Sequence, residues 1–366
     1  MKPLLTILSW IYRAVIAIRH RLYNWGVLKS YSFNIPVVCV GNITVGGTGK
    51  TPMTEMLISQ LSDSYTIAML SRGYGRRTKG YHEVQTTDKY LDVGDEPLQV
   101  KLKFPEAVVV VAEDRVVAIQ RIQRDHPEVN LIIMDDGFQH RRVRAKVNIV
   151  ILDATRPHEN DHLLPRGRLR DLKSRLSAAH FFIVSKCSDQ MSPLDRSLWR
   201  KKLRSIAYQK VYFSHIVPKD IEPVFYFEER ETIDYGHQAI LLMGVGNPRP
   251  FIREAQQRFN VVDQMIMPDH HVYNVEDMQR LQQMLADYPR AIVLMTEKDA
   301  VKLFRLRRLP ENLRRAMYYQ PIETELIPGP DKDFVGNLKA EIEFNDEFGT
   351  RSGKRSKKQI LDDDEI

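Results

Sequence analysis

The chain has 366 residues, of which 43% are hydrophobic and 28% charged, and it contains only two cysteines, Cys39 and Cys187. This length predicts two domains of ordinary size, and the composition excludes a disordered protein, a fibrous protein and a disulfide-based scaffold. The formal net charge of +7 is modestly basic, and the basic excess lies at the start of the chain, because the first acidic residue is Glu55.

The first 30 residues are predicted to form an amphipathic helix that lies on a lipid surface. The longest uncharged run, residues 3–12, is too short for a membrane span, and no signal-peptide cleavage site follows it. The alternatives are a helix docked on the protein and a nucleic-acid-binding helix, for which no recognised motif is present. The apolar stripe comprises Leu4, Leu8, Ile11, Val15, Ile18, Leu22 and Trp25, and the opposite side comprises Lys2, Thr6, Ser9, Arg13, His20 and Asn24.

A glycine-rich loop follows the first predicted strand and opens a helix. It fits the pattern G-x-x-x-x-G-K-[ST], except that Thr44 occupies the place of the first glycine. Backbone N–H groups of such a loop bind phosphate oxygens, Lys50 can reach the β- and γ-phosphates, and the Thr51 hydroxyl can ligate Mg²⁺. We therefore predict ATP and Mg²⁺ as cofactors, the alternative being a glycine-rich turn with an unrelated lysine. The predicted nucleotide-binding residues are Thr44, Val45, Gly46, Gly47, Thr48, Gly49, Lys50 and Thr51.

A second segment adds acidic residues to the phosphate loop. The apolar strand predicted at residues 131–134 runs into D-D-G-F-Q-H, which begins with Asp135 and Asp136. Enzymes with a phosphate loop use carboxylates at a strand end to hold or orient Mg²⁺. Carboxylates at strand ends also cap helices, so the segment indicates phosphoryl transfer only in combination with the loop.

Five further polar segments are weaker indications on their own. Residues 71–75 (S-R-G-Y-G) follow a strand and are placed to line a site, and residues 94–97 (G-D-E-P) put two carboxylates in a turn. Residues 166–171 suit either an anionic substrate or a solvated surface. Residues 269–271 (D-H-H) offer a base, a proton relay or a surface pair, and residues 296–302 are interpreted as a helix cap.

The alternation of apolar β-branched runs with helical patterns predicts an α/β fold. We expect a P-loop NTPase-type parallel sheet with helices on both faces, plus a second, smaller α/β domain and the N-terminal amphipathic helix. Strands are predicted at residues 35–40, 65–70, 107–112, 131–134, 147–152, 181–184, 211–213, 224–226, 239–243 and 291–295. The predicted division is an interfacial helix (1–30), a P-loop domain (31–205), a linker region (206–235), a second α/β domain (236–345) and a disordered charged tail (346–366).

Taken in chain order, these segments resemble the tetraacyldisaccharide 4'-kinase family, the lipid A 4'-kinases of Gram-negative bacteria, from the N-terminal helix to about residue 305. The family transfers the γ-phosphate of ATP to the 4'-hydroxyl of a tetraacylated glucosamine disaccharide 1-phosphate. The resemblance implies a peripheral enzyme on the cytoplasmic face of the inner membrane. Its implied partners are this lipid and the anionic membrane surface, without nucleic acid, and we expect a monomer.

The resemblance also implies roles for single residues. Asp95 matches the catalytic base and His270 its dyad partner in the second domain, so that the two domains must close over the substrate. Lys50 and Asp136 belong to the same catalytic set, and Asp171 stands where the family usually has glutamate. The implied metal ligands are Thr51, Asp135, Gln139 and Asp171, and the implied substrate-binding residues are Arg72, Tyr74, Glu96, Arg166 and Arg170.

Two other functions remain open on the residues alone. A membrane-targeting ATPase or switch would also combine a phosphate loop with a basic helix. A soluble small-molecule kinase would have the same loop, and its first helix would be merely structural. Transfer of phosphate to the lipid would distinguish the lipid kinase from an ATPase or switch. Membrane binding by the first helix would distinguish it from a soluble small-molecule kinase.

Overall fold

The structure is a computed structural model that describes residues 2–228, 232–306, 309–329 and 333–344. Within this part of the chain the strands form two sheets, one of nine strands and one of five. The strands are β1 (Val37–Gly41), β2 (Ile67–Ser71), β3 (His82–Glu83), β4 (Val108–Val111), β5 (Leu131–Asp135), β6 (Val147–Asp153), β7 (Phe181–Ser185), β8 (Lys210–Pro218), β9 (Glu222–Pro223), β10 (Gln238–Met243), β11 (Asn260–Ile266), β12 (Ile292–Thr296), β13 (Met317–Gln320) and β14 (Ile322–Leu326). The helices are α1 (Lys2–Asn24), α2 (Lys50–Leu61), α3 (Tyr90–Val93), α4 (Asp95–Lys103), α5 (Arg115–Asp125), α6 (Pro193–Leu203), α7 (Arg249–Arg258), α8 (Val275–Asp287), α9 (Glu297–Leu303), α10 (Glu311–Ala316) and α11 (Phe334–Glu343).

The larger sheet has the order β14-β8-β7-β6-β1-β5-β2-β4-β3. Its strands from β8 to β4 are parallel, whereas the edge strands β14 and β3 are antiparallel to their neighbours. The smaller sheet has the order β11-β10-β12-β13-β9 and is parallel except at β9. The predicted α/β class with a parallel sheet is therefore confirmed. Because parallel strands end at one edge, the loops after β1, β2, β5, β6 and β7 meet there.

Helices cover both faces of the larger sheet. Alternate side chains of each strand point to opposite faces, so each strand contributes to two cores. Val37 and Cys39 of β1 pack in one core with residues of α5 and α6. Val38 and Val40 pack in the other core with residues of α2, α4 and α11. Full burial on both faces explains why these strands are continuous apolar runs and do not alternate with polar residues.

At two places the predicted domain division does not follow the membership of the two sheets. Strand β8, predicted to lie in the linker region, is part of the larger sheet between β7 and β14. Strand β14 and helix α11, predicted to lie in the second domain, also return to this sheet, where Phe334 packs against Phe181 and Tyr212. Residues 224–226 are not a strand, and Val224 and Phe225 are buried in the core of the smaller sheet. The predicted charged tail lies outside the described residues.

Helix α1 docks on the protein through its polar side and exposes its apolar side. Ser9 and His20 are buried. By contrast, Trp10, Ile11, Val15 and Ile18 each expose more than half of their side-chain surface. Among the described residues, no helix is both long and apolar enough to cross a membrane. The predicted amphipathic helix is thus present, and it ends at Asn24 and not at residue 30.

Candidate active site

The phosphate loop lies between β1 and α2 at the carboxyl edge of the larger sheet. Gly46 and Gly49 have left-handed backbone angles, with φ of 100° and 89°, and α2 begins directly after Gly49. The loop is supported from behind by Asn42 Nδ2, which donates to Thr48 Oγ1 at 2.7 Å, and by Ser185 Oγ, which donates to the Thr48 carbonyl at 2.7 Å. These bonds fix the backbone while leaving its outer side free to bind an anion.

The outer side of the loop fits the phosphates of ATP. A Cβ atom built on Gly46 or on Gly47 would have no neighbour within 4 Å, so the space above the loop is open. Lys50, the first residue of α2, points its ammonium group to within 3.7 Å of Asp136 Oδ1. An open loop at a helix N-terminus with a lysine beside it is the arrangement that binds a nucleoside triphosphate.

Two glycines of this loop allow a matched stability test. Gly49→Ala is expected to lower the free energy of unfolding by about 1 kcal/mol, because a left-handed backbone costs an L-residue roughly 1–2 kcal/mol. Gly47→Ala meets neither a positive φ nor a neighbour for its Cβ, so we expect unchanged or slightly higher stability. Urea unfolding of both variants measures the difference, and equal losses would contradict this role of the Gly49 backbone.

The end of β5 brings Asp136 to the loop. Its backbone is left-handed (φ 48°), and both of its carboxylate oxygens accept hydrogen bonds from the guanidinium of Arg170. Arg170 also donates to the side-chain oxygen of Asn42. Burial alone would raise the pKa of Asp136, but Arg170 and Lys50 outweigh it and hold that pKa below its usual value. Arg170, predicted to bind substrate, is thus placed in the nucleotide site as the partner of Asp136.

Asp135 is fully buried beneath the loop and fits a divalent cation. Burial, followed by the charges of Glu96 and Asp136, raises the pKa of Asp135 to about 7. A cation would relieve this repulsion, and Thr51 lies at the start of α2 on the same edge. Among the described residues, no group of three or more His, Cys, Asp and Glu side chains is able to hold a metal alone. Mg²⁺ needs no such group, because it is commonly held by one or two carboxylates, waters and substrate phosphates.

The two other predicted metal ligands are placed differently. Gln139 donates through Nε2 to the Asn42 carbonyl at 2.7 Å, and its Oε1 is buried without a partner, which suits a bound cation or water. Asp171 is buried against helix α1, where its Oδ1 lies 2.6 Å from His20 Nε2. The role of Asp171 in metal binding stays a prediction, and its observed partner is a histidine.

Asp95 and His270 are brought together from the two sheets. Asp95 is the first residue of α4, and His270 lies in the loop after β11 with a left-handed backbone (φ 58°). His270 Nδ1 lies 3.0 Å from Asp95 Oδ2. Burial alone would raise the pKa of Asp95, but the His270 hydrogen bond and the Lys298 charge outweigh it and lower that pKa to about 2. The hydrogen bond to Asp95 in turn raises the pKa of His270.

Lys298 occupies the centre of this acidic group and is not among the site residues that the sequence predicts. Its Nζ lies 3.6 Å from carboxylate oxygens of Asp95, Glu96 and Asp269, and 3.4 Å from His270 Nε2. The segment fits a helix cap on sequence alone, and Thr296 does cap α9. Lys298 closely follows a parallel strand of the smaller sheet, and residues at the carboxyl ends of such strands often line a site. This position is the one sequence signal that could have indicated Lys298.

The remaining predicted substrate residues lie around this group. Tyr74 is largely exposed, and its ring centroid is 5.2 Å from that of His270. Glu96 is the half-buried neighbour of Lys298, and Arg72 and Arg166 are exposed. Tyr74 and Glu96 are therefore placed beside the dyad, whereas no contact within the described part of the chain links Arg166 to it.

Comparison with known proteins gives matches over most of the chain. A family model described as tetraacyldisaccharide-1-P 4'-kinase matches residues 1–343. The chain is 36% identical to the tetraacyldisaccharide 4'-kinase of Bacteroides fragilis (strain YCH46), covering 94% of this chain and 93% of that protein. It is 38% identical to the enzyme of the same name from Porphyromonas gingivalis (strain ATCC 33277), covering 92% and 95%. Its fold is similar to the crystal structure of LpxK from Aquifex aeolicus in complex with ATP, with a TM-score of 0.72, 25% identity and coverage of 93% and 98%.

Proposed function

Because the chain belongs to the tetraacyldisaccharide-1-phosphate 4'-kinase family, we propose that it transfers the γ-phosphate of ATP to the 4'-hydroxyl of a tetraacylated glucosamine disaccharide 1-phosphate. This reaction is a step of lipid A biosynthesis. The observation that supports it best is the Asp95–His270 pair, at 3.0 Å, next to Gly94, which lies against Gly73 in the loop after β2 at the same edge of the larger sheet as the phosphate loop. Asp95 is adjacent in sequence to Glu96, whose charge acts on Asp135 beneath that loop.

In this proposal the residues divide the work between nucleotide and acceptor. The phosphate loop and Lys50 hold the triphosphate and neutralise its charge. When bound, Mg²⁺ supplies further neutralisation, and Thr51, Asp135 and Gln139 would hold it. Asp95 accepts the proton of the 4'-hydroxyl as its oxygen bonds to the γ-phosphorus, while the bond from that phosphorus to the β,γ-bridging oxygen breaks and ADP leaves.

A pKa of about 2 keeps Asp95 ionised at any working pH, so the carboxylate is available as an acceptor. Such a carboxylate is a weak base, which is sufficient here because phosphoryl transfer has a loose transition state and the hydroxyl proton leaves late. His270 and Lys298 then hold the carboxylate in place and balance the charge of the acidic group. Both members of the dyad come from one chain, so the proposal needs only a monomer.

We also propose that α1 lies on the anionic, cytoplasmic face of the inner membrane. Its exposed apolar side would enter the lipid interface, and the exposed Arg13 and Arg21 of the helix, with Lys29 just after it, would lie near the headgroups. Each basic side chain near such a surface contributes about 1 kcal/mol. An acylated substrate that resides in the membrane is then presented directly to the enzyme.

A charge on the exposed face of α1 should weaken membrane binding. We expect Ile11→Glu to lower the vesicle-bound fraction at least tenfold, since it loses roughly 1.5–3 kcal/mol of apolar burial and adds repulsion from anionic lipid. Flotation with vesicles that contain phosphatidylglycerol measures the bound fraction. Val117→Glu on α5 is the control, because Val117 is similarly exposed but lies outside α1. An equal loss in both variants, or none in Ile11→Glu, would argue against the interfacial helix.

The test of the proposed function is the transfer of labelled phosphate. The purified enzyme is incubated with γ-labelled ATP and the tetraacyldisaccharide 1-phosphate in mixed micelles, and the lipid is then separated. The expected product is labelled lipid, and an acceptor that lacks the 4'-hydroxyl should remain unlabelled. Label found only as inorganic phosphate would overturn the proposal in favour of an ATPase or switch.

A further inference from the structure

The polar side of α1 contacts the two loops that build the nucleotide site. Ser9 Oγ donates to the Leu163 carbonyl at 2.9 Å, and Tyr12 OH donates to the Arg170 carbonyl at 3.1 Å. Arg19 donates to the Gln139 carbonyl at 3.1 Å. All three acceptors belong to residues 163–171 or to the turn after β5. Helix α1 is therefore packed against the site itself.

The most buried of these contacts joins His20 to Asp171. The Nε2–Oδ1 distance is 2.6 Å, and the two residues are 6% and 1% exposed. Arg141 Nη1 lies 3.3 Å from the other ring nitrogen of His20, and an arginine can only donate. Nδ1 is therefore the acceptor, and Nε2 carries the proton that His20 donates to Asp171.

The residues just before Asp171 contact the phosphate loop and its neighbours. The preceding residue, Arg170, donates from its backbone to the Ile43 carbonyl at 2.9 Å and from its side chain to Asp136 and Asn42. The Val45 N–H donates to the Arg168 carbonyl at 2.9 Å. Residues 163–171 thus lie as a strut between α1 on one side and the phosphate loop on the other.

We propose that His20 is a positioning residue for phosphoryl transfer, because its hydrogen bond to Asp171 fixes this strut and hence the Arg170–Asp136 pair beside Lys50. This inference rests on the proposed function and gives the two sides of α1 separate tasks. The outer side binds lipid, and the inner side holds the nucleotide site.

The test compares His20→Leu with His20→Gln in the lipid phosphorylation assay. Leucine removes the donor, and we expect kcat to fall about tenfold to a hundredfold, the fold-change that corresponds to the free energy of one hydrogen bond to a charged group. Glutamine places an amide nitrogen near the position of Nε2, so we expect its kcat to return to within about threefold of the original. Vesicle binding and the KM for the lipid should change less than twofold in both variants.

The matched control is His126→Leu, because His126 also pairs with a carboxylate, Glu83, at 2.9 Å, but lies at the opposite end of the strands. It should retain the original kcat. If His20→Leu does not fold, His20→Asn replaces it, since its amide is too short to reach Asp171. Unchanged kcat in the variant without the donor, or a glutamine variant no better than it, would overturn the inference. An unmodified enzyme that labels no lipid would instead overturn the proposed function.

Discussion

Replacing Asp95 with asparagine is expected to lower kcat for lipid phosphorylation by about 10²- to 10⁴-fold, the range for removal of a general base. Asparagine keeps the shape of the side chain and can still accept a hydrogen bond from His270, but it cannot take the hydroxyl proton. Asp95 lies on α4 and not in the phosphate loop, so the affinity for ATP should remain within a few-fold. Steady-state kinetics and titration with a non-hydrolysable ATP analogue measure the two quantities separately.

The chain offers a close control for this substitution. Asp88 pairs with His82 at 2.8 Å, and Asp88→Asn makes the same exchange in a His–Asp pair outside the site. It should leave kcat unchanged. A turnover of Asp95→Asn within tenfold of the original enzyme would refute the assignment of Asp95 as the base.

His270 can be tested without disturbing its backbone. Asparagine tolerates the left-handed conformation that His270 adopts, and its amide nitrogen lies near the position of Nδ1. His270→Asn therefore keeps the donor to Asp95 and should retain more activity than His270→Ala, which loses the donor and strains the backbone. Equal losses in the two variants would contradict a role for His270 in holding Asp95.

The phosphate loop could be predicted from the sequence because its determinants are local. Strand, glycines, lysine and helix follow one another within residues 37–61, and each is required by the backbone geometry of the loop. The Asp95–His270 pair has no such local pattern, since the two residues are 175 positions apart. They were associated only through resemblance to a family, because the contact depends on how the two sheets pack.

The missed contacts have the same physical origin. Lys298 lies two residues after Thr296, whose side chain caps α9. The helix cap explains the local sequence, but it does not indicate the contact of Lys298 with Asp95. His20 was placed on the polar side of an amphipathic helix, and its partner Asp171 lies 151 residues away. Periodicity shows that a helix has a polar face, but it does not show what that face contacts.

Strand order does not follow chain order at the predicted linker region. The pattern of short strands and prolines around residues 206–235 indicates a linker. Strand β8 lies within that segment, yet it pairs with β7 of the larger sheet. Strand β14 then returns from the smaller sheet and pairs antiparallel with β8. Such a return leaves no mark in composition, so only the packed structure reveals it.

Lys50→Met is expected to lower kcat by about 10²- to 10³-fold, the usual cost of removing one preorganised group that stabilises developing charge. Methionine retains most of the length and apolar stem of the lysine, so the start of α2 should remain intact. Loss of the ammonium leaves Asp136 with Arg170 as its cationic partner and leaves the γ-phosphate without the charge that reaches it from α2. ATP affinity should fall as well, in contrast to Asp95→Asn.

This contrast makes the pair of variants more informative than either one alone. Lys50→Met should affect nucleotide binding and turnover, whereas Asp95→Asn should affect turnover only, because the two residues act on opposite partners of the reaction. Lys339→Met is the control, since Lys339 bonds to Ser64 near the other end of α2 and lies far from the loop. If Lys50→Met retained both ATP affinity and kcat, the loop between β1 and α2 would not be the phosphate site, and the assignment of every residue around it would fail with it.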